Sequence, residues 1–168
     1  MFSPLELLVL SFAVKSRIPP KATGTVVIAK KPAIEFQLPN VEAYRRFGVF
    51  KKLPTLSEDA VLDLLVNERA SDEFEQPFDL HRPSVFLGDE ALKALFRGGR
   101  GWETFYETYP ESGGCFHVSR VGFSSDRRQA LVHVGRQWHG RAGGGELIQI
   151  GLEKDAVVEL GSMATWMS

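Results

Sequence analysis

Ser119, Arg120 and His133 are the residues with which this sequence could do chemistry. Arg120 stands in the run Val118-Ser119-Arg120-Val121, and a guanidinium among aliphatic neighbours must find a carboxylate, backbone carbonyls or solvent, because an unpaired buried charge costs several kcal/mol or more. Its planar fork could take a ligand carboxylate or phosphate in bidentate fashion, which makes it the candidate ligand-binding residue. The competing reading, which the sequence favours, is an internal pair with Glu103, Glu107 or Glu159. Ser119 with His133 supplies two roles of a serine hydrolase, but the serine lies mid-strand without the Gly-x-Ser-x-Gly elbow that exposes such nucleophiles. A pocket recruiting Arg120, His133 and Glu103 or Glu107 would suit a hydrolase or lyase.

Other combinations carry less. Cys115 and His117 share a face of an extended strand, yet no third group orients the imidazole, so a buried or surface thiol is the default. As the single cysteine, Cys115 excludes an internal disulfide and a cysteine-based zinc site. His81, His117, His133 and His139 match no metal-binding spacing, and no cofactor is called for. Gly98-Gly99-Arg100-Gly101 and Gly143-Gly144-Gly145 lack the strand-to-helix setting of a phosphate cradle. They read instead as a helix stop and a hairpin turn, where positive φ is needed.

The elements that must position these groups follow from period and punctuation. Four strands are predicted over residues 116–123, 129–138, 146–153 and 156–166, with connections short enough to make neighbours antiparallel. If Phe123 pairs with Gln129, Ser119 lies opposite His133 and Val121 opposite Leu131, while Arg120 shares the other face with Val118, Val132 and Val134. Upstream, Ser3-Pro4-Leu5-Glu6 fits a capping box that starts a helix over residues 4–16, which Pro19 terminates. Val26, Val27 and Ile28 mark a strand within residues 24–30, and Ile34, Phe36 and Leu38 line one face of a second extended segment. Helices are predicted from Asn40 to Phe47, ended by Gly48, and over residues 58–69 behind the cap Ser57. Residues 71–83 read as a long acidic connection, either an ordered surface loop or a cover for a site. A brief strand over 84–87, a helix over 88–96 and an aromatic helix or turn over 102–109 follow, the last with Trp102, Phe105, Tyr106 and Tyr109 on one core-facing side. The expected class is therefore α+β: N-terminal helices with short strands, then a C-terminal four-stranded antiparallel meander.

At 168 residues with 43% apolar and 24% charged side chains, the chain fits one domain, helix-rich over about 1–110 and sheet over about 115–166. No apolar run reaches the ~18 residues of a membrane span. The net charge of −1 conceals segregation: nine Lys or Arg face two Glu over residues 15–52, and thirteen acids face five bases over 53–111. The simplest use of such blocks is to lie beside one another, so nucleic acid is not the favoured partner. Residues 5–14 are apolar enough for the core of a leader, but Glu6 and the missing basic flank favour a folded helix and a cytoplasmic protein.

The pattern Trp102-x-x-Phe105-Tyr106-x-x-Tyr109-Pro110-x-Ser112-x-Gly114, then Ser119-Arg120-Val121-Gly122-Phe123 and Gln129-Ala130-Leu131-Val132-x-Val134, resembles a group of small uncharacterised proteins, mostly bacterial. Gly140 to Gly145 and the end Trp166-Met167-Ser168 complete the similarity, which covers roughly residues 70–168; His133 and Val157 depart from it, standing where an aromatic and a Trp are more usual. The resemblance implies no activity or ligand. Without a constellation of acid, base and oxyanion donors, the sequence favours a small non-catalytic domain binding a ligand or a protein partner, a second copy included, over an enzyme.

Overall fold

The structure, a computed structural model, describes residues 2–33, 35–68, 72–154 and 156–168. The chain starts as the capping box requires: Ser3 Oγ accepts from the Glu6 N–H at 3.2 Å, and helix α1 runs Pro4–Lys15. Strand β1 (Val26–Ala29) follows, then α2 (Val41–Phe47), capped by the Asn40 side chain and stopped by Gly48 at φ 89°. A further short helix not anticipated from the sequence, α3 (Val49–Lys52), continues from that glycine, and α4 (Glu58–Asn67) starts behind Ser57. Next come β2 (Ser84–Leu87), α5 (Asp89–Phe96) and α6 (Trp102–Thr108), then β3 (Cys115–Val118), β4 (Gly122–Phe123), β5 (Gln129–His139), β6 (Ala142–Glu153) and β7 (Ala156–Met167).

These strands form one mixed seven-stranded sheet in the order β2-β1-β3-β5-β6-β7, with β4 also against β5. The α+β class holds, and β3, β5, β6 and β7 are antiparallel neighbours. The expected separation of a purely antiparallel C-terminal meander does not: β1 runs parallel to both β2 and β3, so the early strands extend the same sheet. The cause is in β1 itself, where all four residues are buried, the signature of a central strand covered on both faces. Phe36 and Leu38 lie outside any strand and pack instead as apolar anchors beside Tyr44, while Ile34 of the same segment lies outside the described residues. Arg69, Ser71 and Asp155, predicted to end α4, open the acidic connection and join the last two strands, also lie outside them.

Helices and connections cover both faces of the sheet. On one, α1 packs Val9, Leu10, Ala13 and Val14 onto Val118, Val132, Val134 and Ile148. The acidic connection joins this layer: Phe74, Phe78 and Leu80 are buried there, and the Phe74 N–H donates to Lys30 O at 2.8 Å. On the opposite face α2, α3 and α4 cover Leu131 and Leu147, and the aromatic stripe of α6 packs with Val27, Leu87 and Cys115 as core. The two charge blocks meet in pairs: Lys30–Glu73 at 2.9 Å, Lys31–Asp89 at 2.7 Å, and Arg45 with Glu58. All three are exposed and stabilise little.

The register of β3 on β5 matches the expectation over Cys115↔Gln137 to Val118↔Val134, and the Ser119 N–H continues it by donating to His133 O at 2.9 Å. Beyond that point the ladder slips by one, so Leu131 faces Gly122 rather than Val121. The interruption at 119–121 is a bulge, and it lets Arg120 and Val121 both serve the α1 side. Gly122 is then obligatory, because a Cβ there would stand 2.1 Å from Ala60 O and 2.5 Å from Leu64 N on α4. The glycine run needs correction too. Gly143 to Gly145 belong to β6, and positive φ is not what they supply; Gly143 and Gly145 have no side chain because the Trp166 indole lies where their Cβ atoms would be.

Candidate functional site

Arg120 is committed inside the fold. Its Nε donates to Glu6 Oε1 at 2.7 Å and its Nη2 to Glu6 Oε2 at 3.2 Å, with the guanidinium 4.2 Å from the Phe2 ring centroid. Both side chains of the pair are under 10% exposed, so this is the bidentate, desolvated geometry that makes an arginine structural. The internal pair was the favoured reading, but its partner is neither Glu103 nor Glu107, which hold Arg100, nor Glu159, which holds Arg17. Glu6 holds the capping-box position, but its carboxylate is turned to Arg120 as a counter-ion rather than back to the Ser3 N–H, which is why an acid is tolerated in the most apolar helix of the chain.

Ser119 is fully buried and holds the bulge shut. Its hydroxyl donates to Arg120 O at 2.6 Å and accepts the His133 N–H at 2.8 Å, leaving no exposed nucleophile. His133 points to the other face, where its Nε2 meets Thr165 Oγ1 at 2.8 Å and its ring stacks on Phe36. Burial pushes its pKa down to about 4, so the ring is neutral at physiological pH. Arg120 and His133 thus stand on opposite sides of the sheet and line no common pocket. Cys115 is a buried thiol whose pKa is pushed up to about 12 by burial, the unreactive default.

Around His133 runs a seam of polar groups. The Glu35 carboxylate occupies the space over Gly135, 2.0 Å from where a Cβ would be, and lies 3.8 Å from His117 Nδ1. Burial raises the Glu35 pKa and lowers that of His117, which makes the pair less charged than its types suggest. The Trp166 indole N–H lies beside the same carboxylate without an aligned hydrogen bond, and His133 Nδ1 is buried without a partner. No group of three or more potential metal ligands occurs among the described residues.

Of several open concavities, one lies on the α1 face past the end of that helix, and Arg136 and Trp138 separate it from another beside Pro19, Tyr106 and Gly113. A cleft of about 300 Å³ lies over Val134, Arg136, Gly144, Glu146 and Ala164, between Arg17 and Trp138. Alternation explains the set: Val134, Arg136 and Trp138 continue the face that Ala130 and Val132 turn to α1, and Gly144 and Glu146 are the cross-strand neighbours of Arg136 and Val134. Arg17 is neutralised by Glu146 at 2.5 Å and Glu159 at 2.8 Å. Arg136 is different. Its Nη1 donates to Gly113 O at 2.6 Å and its guanidinium stacks 4.1 Å over Trp138, but no carboxylate lies within ion-pair distance among the described residues. Burial lowers its pKa without making it neutral.

Sequence reasoning passed over Arg136, although the signal was of the same kind as for Arg120: a guanidinium placed in register with an aliphatic face. Gly144 was hidden by its neighbours, since a three-glycine run reads as a turn until Trp166 is seen to need two of the three. No protein-family model, no curated protein and no solved structure matches this chain.

Proposed function

We propose that this chain is a small non-catalytic domain that binds a low-molecular-weight ligand in the cleft beyond α1. The observation that carries the reading is the contrast between that cleft, open and about 300 Å³, and the sealed surroundings of Ser119, Arg120 and His133. A hydrolase or lyase built on Arg120 and His133 lacks the shared pocket it needs. The likeness to the small bacterial group is part of the same proposal and adds no ligand, and a cytoplasmic setting goes with it. No helix among the described residues is long and apolar enough to cross a membrane.

The test is a fragment screen followed by amide chemical shifts. Binders should move the N–H signals of Val134, Arg136, Gly144 and Glu146 and leave Ser119 and His133 in place. Hits that cluster elsewhere would remove the reading.

A second reading rests on β7, which ends the sheet as a twelve-residue edge with no Pro, Lys or Arg to blunt it. Such an edge suits pairing with a second copy. Light scattering across a hundredfold concentration range checks it, and a monomer throughout would rule it out.

A further inference from the structure

We infer that the ligand of the cleft is a carboxylate monoanion on a flat apolar body, its carboxylate held by Arg136 and its body laid on the backbone at Gly144. The inference rests on the cleft-binding reading above and names its ligand class.

The charge follows from what is already neutralised. Arg17 has two carboxylates, whereas Arg136 brings one positive charge into the cleft that no acid among the described residues offsets. Only one of its nitrogens is occupied, by Gly113 O, so donors remain for the paired geometry a carboxylate accepts. With Glu146 paired to Arg17, the single uncompensated positive charge in the cleft offsets one negative charge, which favours a carboxylate over a phosphate dianion.

The shape follows from the floor. A Cβ on Gly144 would find its nearest neighbour, Trp166 O, at 3.6 Å, which is ordinary contact, so the missing side chain there is not forced by packing as it is at Gly143 and Gly145. Its absence leaves bare strand backbone between the apolar side chains of Val134, Ala164 and Met167, a flat surface for a flat group.

The experiment uses the full chain with 2-naphthoate, 2-naphthamide and 2-naphthyl phosphate as probes, followed by amide shifts and tryptophan fluorescence. Naphthoate should bind at least tenfold more tightly than the amide, and Arg136→Met should erase that advantage by weakening naphthoate much more than the amide. Gly144→Val, which suits a strand and whose Cβ meets nothing nearer than Trp166 O at 3.6 Å, should block all three probes without lowering the melting temperature. It serves as the control if Arg136→Met fails to fold, and Arg136→Lys, which keeps the charge but loses the fork, should then fall between wild type and no preference. Equal binding of naphthoate and amide at the cleft residues overturns the anion assignment and leaves the cleft reading intact. Tighter binding of the phosphate overturns the monoanion. Failure of every probe to move a cleft amide overturns this inference and the cleft reading together.

Discussion

Replacing Glu68 by Gln should raise stability relative to the wild type progressively between about pH 4.5 and 7 and hold that gain at higher pH. Glu68 ends α4 with both carboxylate oxygens buried and without a hydrogen-bond partner, 5% exposed, and burial pushes its pKa from 4.5 up to about 7. Between those values the folded chain holds a proton that the unfolded chain has released, so stability is fully present below about pH 4.5 and falls as pH rises to about 7. At about 1.4 kcal/mol per pH unit the loss approaches roughly 3 kcal/mol. His133 acts with opposite sign. Its folded pKa of about 4 against 6.5 means the unfolded chain carries the extra proton, so its contribution rises with pH over that window. The two slopes offset one another in the wild type, and the variant exposes what they conceal. Urea unfolding of both proteins at pH 4.5, 6 and 8 should give a difference that grows in favour of Glu68→Gln by about 2–3 kcal/mol, or roughly 4–12 °C in melting temperature for a chain of this size. The buried amide has its own unsatisfied groups, which shift all three measurements equally, so the change in the difference is the quantity that matters. A difference constant to within about 0.5 kcal/mol would show that Glu68 is ionised or solvated in the fold, and the reasoning would fail.

Three further outcomes follow from the packing. Arg120→Met should cost about 3–5 kcal/mol in urea unfolding by stranding Glu6, and Glu6→Met with Arg120→Met together should recover most of it; no recovery would mean that the guanidinium has a partner besides Glu6. Gly122→Ala should destabilise by about 1–3 kcal/mol, since its methyl group collides with α4 backbone rather than with a mobile side chain, and a neutral result would place α4 further from β4. Cys115 should react with a disulfide reagent at pH 8 at least about a thousandfold more slowly in the folded chain than in urea, as a thiol with its pKa raised to about 12 offers almost no thiolate; rapid labelling would show the thiol accessible.

What the sequence made legible was whatever local period and punctuation decide. Ser3, Asn40, Ser57 and Gly48 set helix ends by their own chemistry, and the 115–118 register on β5 followed from matching two apolar faces. Long-range partners were not legible in the same way. Glu6 is 114 positions from Arg120, and nothing in the period of either segment says that α1 crosses the bulge. The parallel pairing of β1 likewise depends on where the chain travels between strands, and only the unbroken apolar run Val26-Val27-Ile28 hinted at a strand covered on both sides. Trp166 over Gly143 and Gly145 shows the same limit: a glycine emptied for a distant indole looks, in sequence, like a glycine needed for a turn.

Element lengths account for where the cleft lies. Helix α1 has twelve residues and so spans about 18 Å. Strand β6 has the same number and spans about 40 Å. One such helix cannot cover the full length of the strands beneath it. Over β1 and β2 the shortfall is met by Phe2, Phe74 and Phe78 packing beside Phe86. At the other end no such phenylalanine cluster covers the α1 face among the described residues: Trp138 stands at its edge, stacked on Arg136, Pro19 follows closely after the helix, and Arg17 reaches over from it. A sheet end left bare with aliphatic residues would be a sticky surface. This one ends instead in Gly144, Arg136 and Glu146, which removes apolar area and adds two charges. Glu146 is spent on Arg17, so the charge left for something outside the chain is that of Arg136.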